Sequence, residues 1–375
     1  GCIGFELTQD LDFDTNANGK FDSEDFYWNQ NSEGVGEGWL PIGYGSDQFS
    51  ARFNGNGSVI KNLTINRPQS YEIGLFSHIE NASIENLTIG GLHSLVVGKN
   101  YVGTLVGYVK SSQIRKISIA AKVEGEEYVG GLAGKVLSVS NIENIFVSGS
   151  VSGIDYIAGL VGGSIGGGSK ISWVLSTSVV ESKGIANHSS PAGLIGTIDD
   201  TEVISSYWAK DVSGRGFSAG HSEANSYVGL DLVTLLCAIT ENTGSSTGCV
   251  SADGSGEGLN AAVVLYKDWN PAIWDFGIAP NANQQLPGLK FNQLNGRVVV
   301  MRDSDGDGLL DEDDSSPFDH DNDGVLDIND EYPLIAVGSV DADNDGVPND
   351  CDQACLELGM VADIDDDNDG LIEIN

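Results

Sequence analysis

The sequence predicts an all-β protein whose core is a parallel β-helix of about six or seven coils. Two apolar phrases alternate along residues 50–210, and each returns about every 28 residues. Both phrases are short, rich in β-branched residues, and bounded by Gly, Asn and Ser, as strands and tight turns are. A unit of this size cannot bury its own apolar face, whereas stacked coils bury it continuously. The period therefore favours a stack of strands.

Residues 1–49 are predicted to form an N-terminal capping segment that carries a calcium loop. Oxygen-bearing side chains occupy positions 1, 3, 5, 9 and 12 of this loop, and Gly19 occupies position 6, the pattern that calcium loops require. The loop resembles those of EF-hand and dockerin modules. An Asx-rich turn without metal is the alternative. The candidate ligands are Asp14, Asn16, Asn18, Asp22 and Asp25.

The first recurring phrase combines Gly and Leu, typically as Gly-Leu-x-Gly. Its leucines are 30, 27, 28 and 34 residues apart. We expect its glycines at tight corners, where the backbone needs positive φ. The marker leucines are Leu75, Leu105, Leu132, Leu160 and Leu194.

The second phrase alternates apolar and polar residues, as in Ile84-Glu85-Asn86-Leu87-Thr88-Ile89, which is typical of a strand. Its copies are spaced by 24, 30, 28, 29 and 32 residues. An antiparallel sandwich with Gly-rich turns is the alternative, but a sandwich does not require one phrase to return at a nearly constant spacing. The copies begin at Ile60, Ile84, Ile114, Ile142, Ile171 and Val203.

The Gly-Leu-x-Gly phrases resemble the GLUG motif of bacterial surface and secreted proteins over about residues 50–210. The resemblance implies a right-handed β-helix. Two copies, Gly74-Leu75-Phe76 and Gly103-Thr104-Leu105, depart from the motif, so the coil ends there are expected to be irregular.

Residues 211–302 are predicted to close the β-helix. The stretch from Asp231 to Leu236 favours a short helix. Trp269, Trp274 and Phe276 favour a packed cap on the open end of the rod, because an uncovered end exposes unpaired strand edges.

The charge of the chain is concentrated in residues 303–375. The whole chain carries a net charge of −37, and this region holds 21 Asp, 4 Glu and no Lys or Arg. It has too few large apolar residues to build a core by itself. The overall charge argues against nucleic-acid binding and against attraction to anionic lipids. No apolar run is long enough for a membrane span, so direct membrane insertion is not expected.

Residues 303–375 are predicted to bind calcium through four loops of the pattern Asp-x-Asp-x-Asp-Gly. Each places Gly at position 6 of a loop with oxygen ligands at positions 1, 3, 5 and 9, the arrangement that surrounds calcium with oxygen. A solvated acidic linker is the alternative. The candidate ligands are Asp303, Asp305, Asp307, Asp311, Asp314, Asp319, Asp321, Asp323, Asp327, Asp330, Asp341, Asp343, Asp345, Asn349, Asp352, Asp365, Asp367, Asp369 and Glu373.

This series resembles thrombospondin type 3 repeats over about residues 303–375. The resemblance implies an acidic stalk whose units wrap around calcium instead of around an apolar core. With the N-terminal loop, about five or more calcium sites are expected in the chain.

The five cysteines favour two local disulfides. Cys237 and Cys249 bracket a Gly/Ser/Thr-rich loop, Cys351 and Cys355 are four residues apart, and Cys2 is left over. Reduced thiols in a cytosolic protein are the alternative. A zinc site is poorly supported because the chain has no Cys-x-x-Cys pair and few histidines.

Enzyme signatures are scarce, and we do not expect catalysis. No nucleophile elbow, zinc-protease motif or phosphate loop is present. A carbohydrate-active enzyme on a β-helix is the alternative, with Glu85, Arg115, Lys116 and Glu143 along one outer face. Charged residues on an exposed face are also what any soluble rod carries.

The sequence thus predicts a secreted or cell-surface calcium-binding structural protein for adhesion, matrix or filament assembly. Partners are expected to be surface glycans or proteins, or further copies of the chain arranged head to tail. A glycan- or ice-binding module is a further alternative, although Thr64 and Thr88 are too few for a regular threonine ladder.

Overall fold

The structure is a computed structural model, and it describes residues 4–45, 47–184, 191–214, 227–236, 250–251, 263–266, 268–276, 285–330, 332–336, 347–349, 351 and 361–363. Its strands are β1 (Gly4–Glu6), β2 (Leu11–Asp12), β3 (Arg52–Lys61), β4 (Thr64–Asn66), β5 (Phe76–Glu80), β6 (Ser83–Gly90), β7 (Leu95–Val97), β8 (Asn100–Gly103), β9 (Val106–Lys110), β10 (Gln113–Glu124), β11 (Glu127–Gly130), β12 (Ala133–Leu137), β13 (Asn141–Gly153), β14 (Asp155–Ala158), β15 (Val161–Ser176), β16 (Val179–Ser182), β17 (Ile195–Ile204), β18 (Ser206–Ala209), β19 (Tyr227–Leu230), β20 (Val250–Ser251), β21 (Val263–Val264), β22 (Trp274–Asp275), β23 (Gly288–Asn292) and β24 (Val298–Met301). The helices are α1 (Leu232–Leu235) and a 3₁₀ turn, Asp327–Asn329.

The strands stack in parallel as a β-solenoid of about five coils, which confirms the predicted fold and lowers the predicted number of coils. One row of paired strands contains β3, β6, β10, β13 and β15. A second row contains β5, β9, β12, β15 and β17, and a third contains β8, β11 and β14. Coils 1 to 5 are defined here as residues 52–80, 83–110, 113–137, 141–165 and 169–199.

The second sequence phrase lies in register from coil 2 onward. Ile84 pairs with Ile114, Ile114 pairs with Ile142, and Ile142 pairs with Ile171. All four side chains are fully buried. The copy that starts at Ile60 is the exception, because Ile60 pairs with Ile89 and a bulge interrupts the pairing between Asn54 and Ser58.

The Gly-Leu phrase marks places where successive coils lie too close together for a side chain. A Cβ on Gly134 would lie 2.3 Å from the carbonyl carbon of Tyr101, and one on Gly162 would lie 2.4 Å from that of Tyr128. Neither glycine has positive φ. The expectation that these glycines supply positive φ was therefore wrong, and lack of space is what requires them. The corners with positive φ hold other residues, such as Asn86 and Asn144, each with φ of 57°.

A second apolar core lies on the outside of the solenoid. Phe146 and Leu175 are paired neighbours that contribute to this core, and β22, β23 and β24 form a small antiparallel sheet whose residues pack over them. The indole nitrogen of Trp274 donates a hydrogen bond to Asn144 Oδ1 at 2.9 Å, in coil 4. The described residues of this segment, 265–266, 268–276 and 285–301, thus cover a side of the solenoid because its outer stripe is apolar. The predicted cap on the open end of the rod stays a prediction for residues 211–302.

The predicted short helix is present as α1. It is a single turn, and the carboxylate of Asp211 accepts a hydrogen bond from Leu232 N at 2.9 Å. Among the described residues, no helix is long and apolar enough to cross a membrane.

Candidate functional site

Two clusters of three aspartates stand out in the acidic region. They consist of Asp303, Asp305 and Asp307, and of Asp319, Asp321 and Asp323. Within each cluster, one carboxylate oxygen from each residue lies within 4.8 Å of the others. These residues occupy positions 1, 3 and 5 of the first two tail loops, so the structure brings together the side chains that the sequence pattern selected.

Backbone hydrogen bonds fold each loop around its first aspartate. Gly308 N donates to Asp303 Oδ2 at 3.0 Å, and Gly324 N donates to Asp319 Oδ2 at 2.9 Å. The two glycines have φ of 100° and 102°, a conformation that L side chains rarely adopt. Glycine at position 6 is therefore what allows the loop to close.

The aspartates at position 9 accept hydrogen bonds that stabilise the loops. Asp311 accepts hydrogen bonds from both the backbone nitrogen and the hydroxyl of Ser304, at 2.7 and 2.9 Å. Asp327 Oδ1 accepts one from His320 N at 2.8 Å. Both oxygens of Asp311 already accept hydrogen bonds, which competes with its predicted role as a calcium ligand. Asp327 Oδ2 accepts none and remains available for a cation.

The aspartates at position 12 lie near the clusters. Burial is the main cause of the raised pKa values of Asp305 and Asp307, and the charge of Asp314 adds to both. Burial, with smaller contributions from Asp321 and Asp323, raises the pKa of Asp330 to about 6. Both loops therefore gather acidic groups from positions 1 to 12.

Burial makes these groups costly to ionise without a cation. Asp303 and Asp305 are almost completely buried. Burial, followed by the neighbouring carboxylates, raises the pKa of Asp303 well above its usual range and that of Asp305 to about 7. Burial likewise raises the pKa of Asp327 to about 8. Like charges held out of water repel one another strongly, and a divalent cation would remove that repulsion.

Several buried carboxylate oxygens in the second loop have no hydrogen-bond donor. They are Asp319 Oδ1, Asp321 Oδ2 and Asp327 Oδ2. A buried polar atom without a partner needs an explanation, and hard anionic oxygens are what calcium binds. The residues present therefore fit a calcium ion, which would be held by the cluster of Asp319, Asp321 and Asp323 with Asp327 beside it.

The two loops are joined to each other. Asp319 N donates to Asp305 Oδ2 at 3.1 Å, and the ring of His320 makes a hydrogen bond with the carbonyl oxygen of Asp305 at 3.0 Å. The start of the second loop is thus built on the first loop.

The first loop is packed along the side of the solenoid, and we call residues 303–313 the strap. A Cβ on Gly308 would lie 2.7 Å from Gly149 Cα, in coil 4. Leu310 packs on Gly90, in coil 2, where a Cβ would lie 2.8 Å from the leucine methyl. Lys61, in coil 1, binds Asp313 at 3.0 Å.

The strap therefore runs from coil 5, where Gly306 faces Thr177, back to coil 1. Burial is the largest influence on the pKa of Asp303 and raises it, while the nearby Ser148 hydroxyl lowers it in part. Burial alone would lower the pKa of Lys61, but Glu312 and Asp313 raise it overall. These residues do not extend away from the rod as the predicted stalk would.

The N-terminal loop closes in a similar way, but it does not form a cluster of three carboxylates. Gly19 N donates to Asp14 Oδ2 at 2.8 Å, as in the tail loops. Buried Asp25 uses both oxygens to accept hydrogen bonds, from Thr15 N at 2.7 Å and from Asp22 N at 2.9 Å. Hydrogen bonds from Glu24 N and the Asn18 amide lower the pKa of Asp22. Calcium binding by Asp14, Asn16, Asn18, Asp22 and Asp25 stays a prediction.

Most of the third and fourth loops lies outside the described residues. Asn349 is described, but the remaining predicted ligands are not, namely Asp341, Asp343, Asp345, Asp352, Asp365, Asp367, Asp369 and Glu373. Cys351 is disulfide-bonded, but it is the one cysteine in the described part of the chain, so no disulfide is seen between two described residues. The predicted pairings of Cys237 with Cys249 and of Cys351 with Cys355 stay predictions.

The charged face considered for catalysis is only partly assembled. Arg115 is paired with both Glu85 and Glu143 in neighbouring strands. Glu85 is buried between Arg52 and Arg115, each of which donates a hydrogen bond from Nε at 2.7 Å. Lys116 instead has its ammonium 5.4 Å from the ring centre of Phe291, so it does not lie with the other three.

Sequence reasoning missed the solenoid residues that receive the strap. Gly90 is small and buried, and Gly149 is small and partly buried; the small size of these two residues was the available signal.

Comparisons with known proteins add relatives without defining a family. No protein-family model matches the chain. Halomucin of Haloquadratum walsbyi is 33% identical over 132 residues, which is 35% of this chain and 1% of halomucin. A protein of Evansella cellulosilytica described as a Gly-rich membrane protein is 42% identical over 74 residues, 19% of this chain and 9% of that protein. The chain therefore spans a small fraction of these relatives.

Among solved structures, a Bacteroides ovatus protein described as an immunoglobulin A1 protease superposes with a TM-score of 0.44 and 15% identity. The superposition covers 79% of this chain and 85% of that protein.

Proposed function

We propose that the chain is a calcium-binding structural protein of the cell surface, in which calcium fastens the acidic strap along the β-solenoid. One observation carries the proposal. Two aspartate clusters are held together in a partly buried setting, and the second has buried oxygens without donors. Bound calcium would neutralise carboxylates whose ionisation is otherwise opposed by burial, so binding energy would become folding energy.

The proposal is tested by thermal denaturation of the whole chain during calcium titration. Calcium is expected to raise the melting temperature of the acidic region, because a ligand at 100 times its Kd stabilises the folded state by about 2.7 kcal/mol. Magnesium at equal concentration serves as a control, since it demands stricter geometry and retains its water. Identical melting curves in calcium and in chelator would contradict the proposal.

The surface location is supported by the relatives. One of them is described as a membrane protein, and the acidic calcium loops suit a compartment rich in calcium. Fractionation of the source cells, with antibody detection on intact cells, tests this part. Recovery of the protein in the cytosol alone would contradict it.

A non-catalytic role is part of the proposal, with adhesion, matrix or filament assembly as the task. It is supported by Glu85, whose carboxylate is held between two arginines and is not available as a free acid or base.

Head-to-tail assembly is proposed because solenoid ends present unpaired strand edges. Light scattering in millimolar calcium tests it, and a monomer at all protein concentrations would remove it.

A further inference from the structure

One corner of the solenoid carries tyrosine in three successive coils. Tyr101, Tyr128 and Tyr156 have φ of 60°, 56° and 52°. Positive φ is uncommon for any residue except glycine, and a bulky side chain there is an outlier. Other corners of this solenoid hold small residues, such as Asn81 and Ser111, as well as single large ones, such as Trp173, but none of the described ones repeats one aromatic residue in three successive coils. Strained conformations of this kind concentrate where a protein binds something.

The three tyrosine rings form a continuous column. Tyr128 and Tyr156 are stacked with ring centres 4.4 Å apart and an interplanar angle of 16°. Tyr101 follows at 5.3 Å from Tyr128. The rings are half-buried, and Tyr128 lies over Gly163, where a Cβ would be 2.8 Å from the ring. The absence of a side chain at Gly163 is what lets the column lie down on the sheet.

A lysine is set into this column. Lys135 Nζ lies 4.4 Å from the ring centre of Tyr128 and 5.4 Å from that of Tyr101. Burial lowers its pKa. No carboxylate of the described residues lies within ion-pair distance of this ammonium group. A half-buried cation without an anion is costly, and an anionic ligand would offset that cost.

The neighbouring strands extend this surface. Tyr108 is paired with Lys135 on one side and with His78 on the other, and the rings of His78 and Tyr108 meet at 4.8 Å. Glu127 is nearby and contributes to raising the pKa of Tyr101 after burial, the larger cause. We call Tyr101, Tyr108, Tyr128, Tyr156 and Lys135 the tyrosine surface.

We propose that the tyrosine surface binds an acidic glycan, with a sugar carboxylate paired to Lys135. A sugar ring has apolar C–H groups that pack on aromatic side chains and hydroxyls that bond to tyrosine hydroxyls, and tyrosine offers both at low cost in side-chain entropy. The protein as a whole repels polyanions, since its net charge is −37. A local cation, Lys135, must therefore select the ligand.

The acidic glycan would be a partner in the adhesive role proposed above. The biological meaning of the inference rests on that proposed role, whereas the binding itself does not. Every residue of the tyrosine surface belongs to the solenoid, and none belongs to an aspartate loop. Glycan binding is therefore expected to persist in chelator, so failure of the calcium proposal and failure of this one are distinguishable.

The test measures binding of fluorescent oligogalacturonate to the whole chain and to three variants. Lys135→Gln removes the charge and keeps a polar, slightly shorter side chain, and it is expected to weaken binding about tenfold or more, as loss of a charge-assisted hydrogen bond does. Tyr128→Asn is expected to weaken binding as well, while placing at φ 56° a residue that tolerates it. Lys122→Gln is the matched control, because this exposed lysine pairs with Glu124 outside the tyrosine surface.

Equal affinity of wild type and Lys135→Gln would overturn the proposal, whatever the stability of Tyr128→Asn. Equal binding of polyglutamate, of anionic lipid vesicles or of single-stranded DNA would also overturn it, because the site would then recognise charge alone. Binding of neutral dextran as tight as that of oligogalacturonate would remove the role of the carboxylate.

Discussion

Buried carboxylates in this protein occupy two opposite electrostatic environments, one acidic and one basic. Asp319 and Asp327 are buried beside other acids, and each has one oxygen without a donor. Glu85 is buried between two arginines, and although burial alone would raise its pKa, their hydrogen bonds lower it overall. The first pair is expected to need a cation, whereas Glu85 already has its counterions within the chain.

Asp327→Asn is expected to weaken calcium binding by about tenfold or more, since support groups in metal sites have effects of this size. In chelator the same variant should be as stable as wild type or more stable, because it removes a carboxyl group whose ionisation burial opposes, which raises its pKa to about 8. Calorimetry in calcium and in chelator measures both effects. Asp268→Asn, at an exposed aspartate outside the loops, is the control, and equal calcium affinity of both variants would contradict the assignment.

Glu85→Gln is expected to destabilise the solenoid by about 1 kcal/mol at neutral pH, a small value because both arginines are about half exposed and screened by solvent. The pKa of Glu85 is lowered by folding. Its contribution is therefore present above the unfolded pKa of about 4.3 and is lost as the pH falls through the lower folded pKa. Urea denaturation at several pH values measures this, with exposed Glu181→Gln as control. A difference from wild type that is independent of pH would contradict it.

The coil is the repeating element, and the glycines of its Gly-Leu phrase are required by the close spacing between coils. Gly162 leaves no room for a side chain against the preceding coil, and Leu160 fills the interior. The phrase therefore predicted the fold correctly even though the expected reason, positive φ at these glycines, was wrong. Spacing alone could not separate the two reasons, because both require glycine.

Gly162→Ala is expected to cost about 1–3 kcal/mol, the usual effect of overpacking, because the added carbon would lie 2.4 Å from a backbone carbon of Tyr128. Gly184→Ala is the matched control, since its nearest neighbour, an Ile154 methyl, would be 4.0 Å away. Denaturant unfolding compares them. Equal stability of both variants would show that coil spacing adjusts freely.

The whole molecule is a solenoid tied along its length by a segment that follows it in sequence. Positions 1, 3, 5 and 6 of the tail loops could be predicted because a calcium loop is a local pattern. The docking of the strap could not, because it depends on Leu310 meeting Gly90 across more than two hundred residues. The contact between Trp274 and Asn144, which are 130 residues apart, could not be predicted for the same reason. Local motifs predicted the parts, and their attachment became visible only in three dimensions.

Leu310→Ala is expected to loosen the strap and to lower its stability by about 2–5 kcal/mol, the cost of truncating a fully buried leucine. Its side chain is 1% exposed and packs on Gly90. Hydrogen exchange of residues 303–330 in calcium measures the loss of protection. Leu294→Ala, at a leucine that is 60% exposed, is the control, and unchanged protection in Leu310→Ala would show that the strap is held by other contacts.

The course of the strap also decides how the protein would respond to mechanical force. Residues 4–6 pair with coil 1, and Asp313 binds Lys61 in the same coil. Tension between residues 4 and 314 would therefore act across one end of the rod and peel the strap away contact by contact, beginning at Lys61. Coils 2 to 5 would carry no load until the strap had lifted. Because calcium is proposed to fasten the strap, the force needed to lift it is expected to rise with the calcium concentration around the cell.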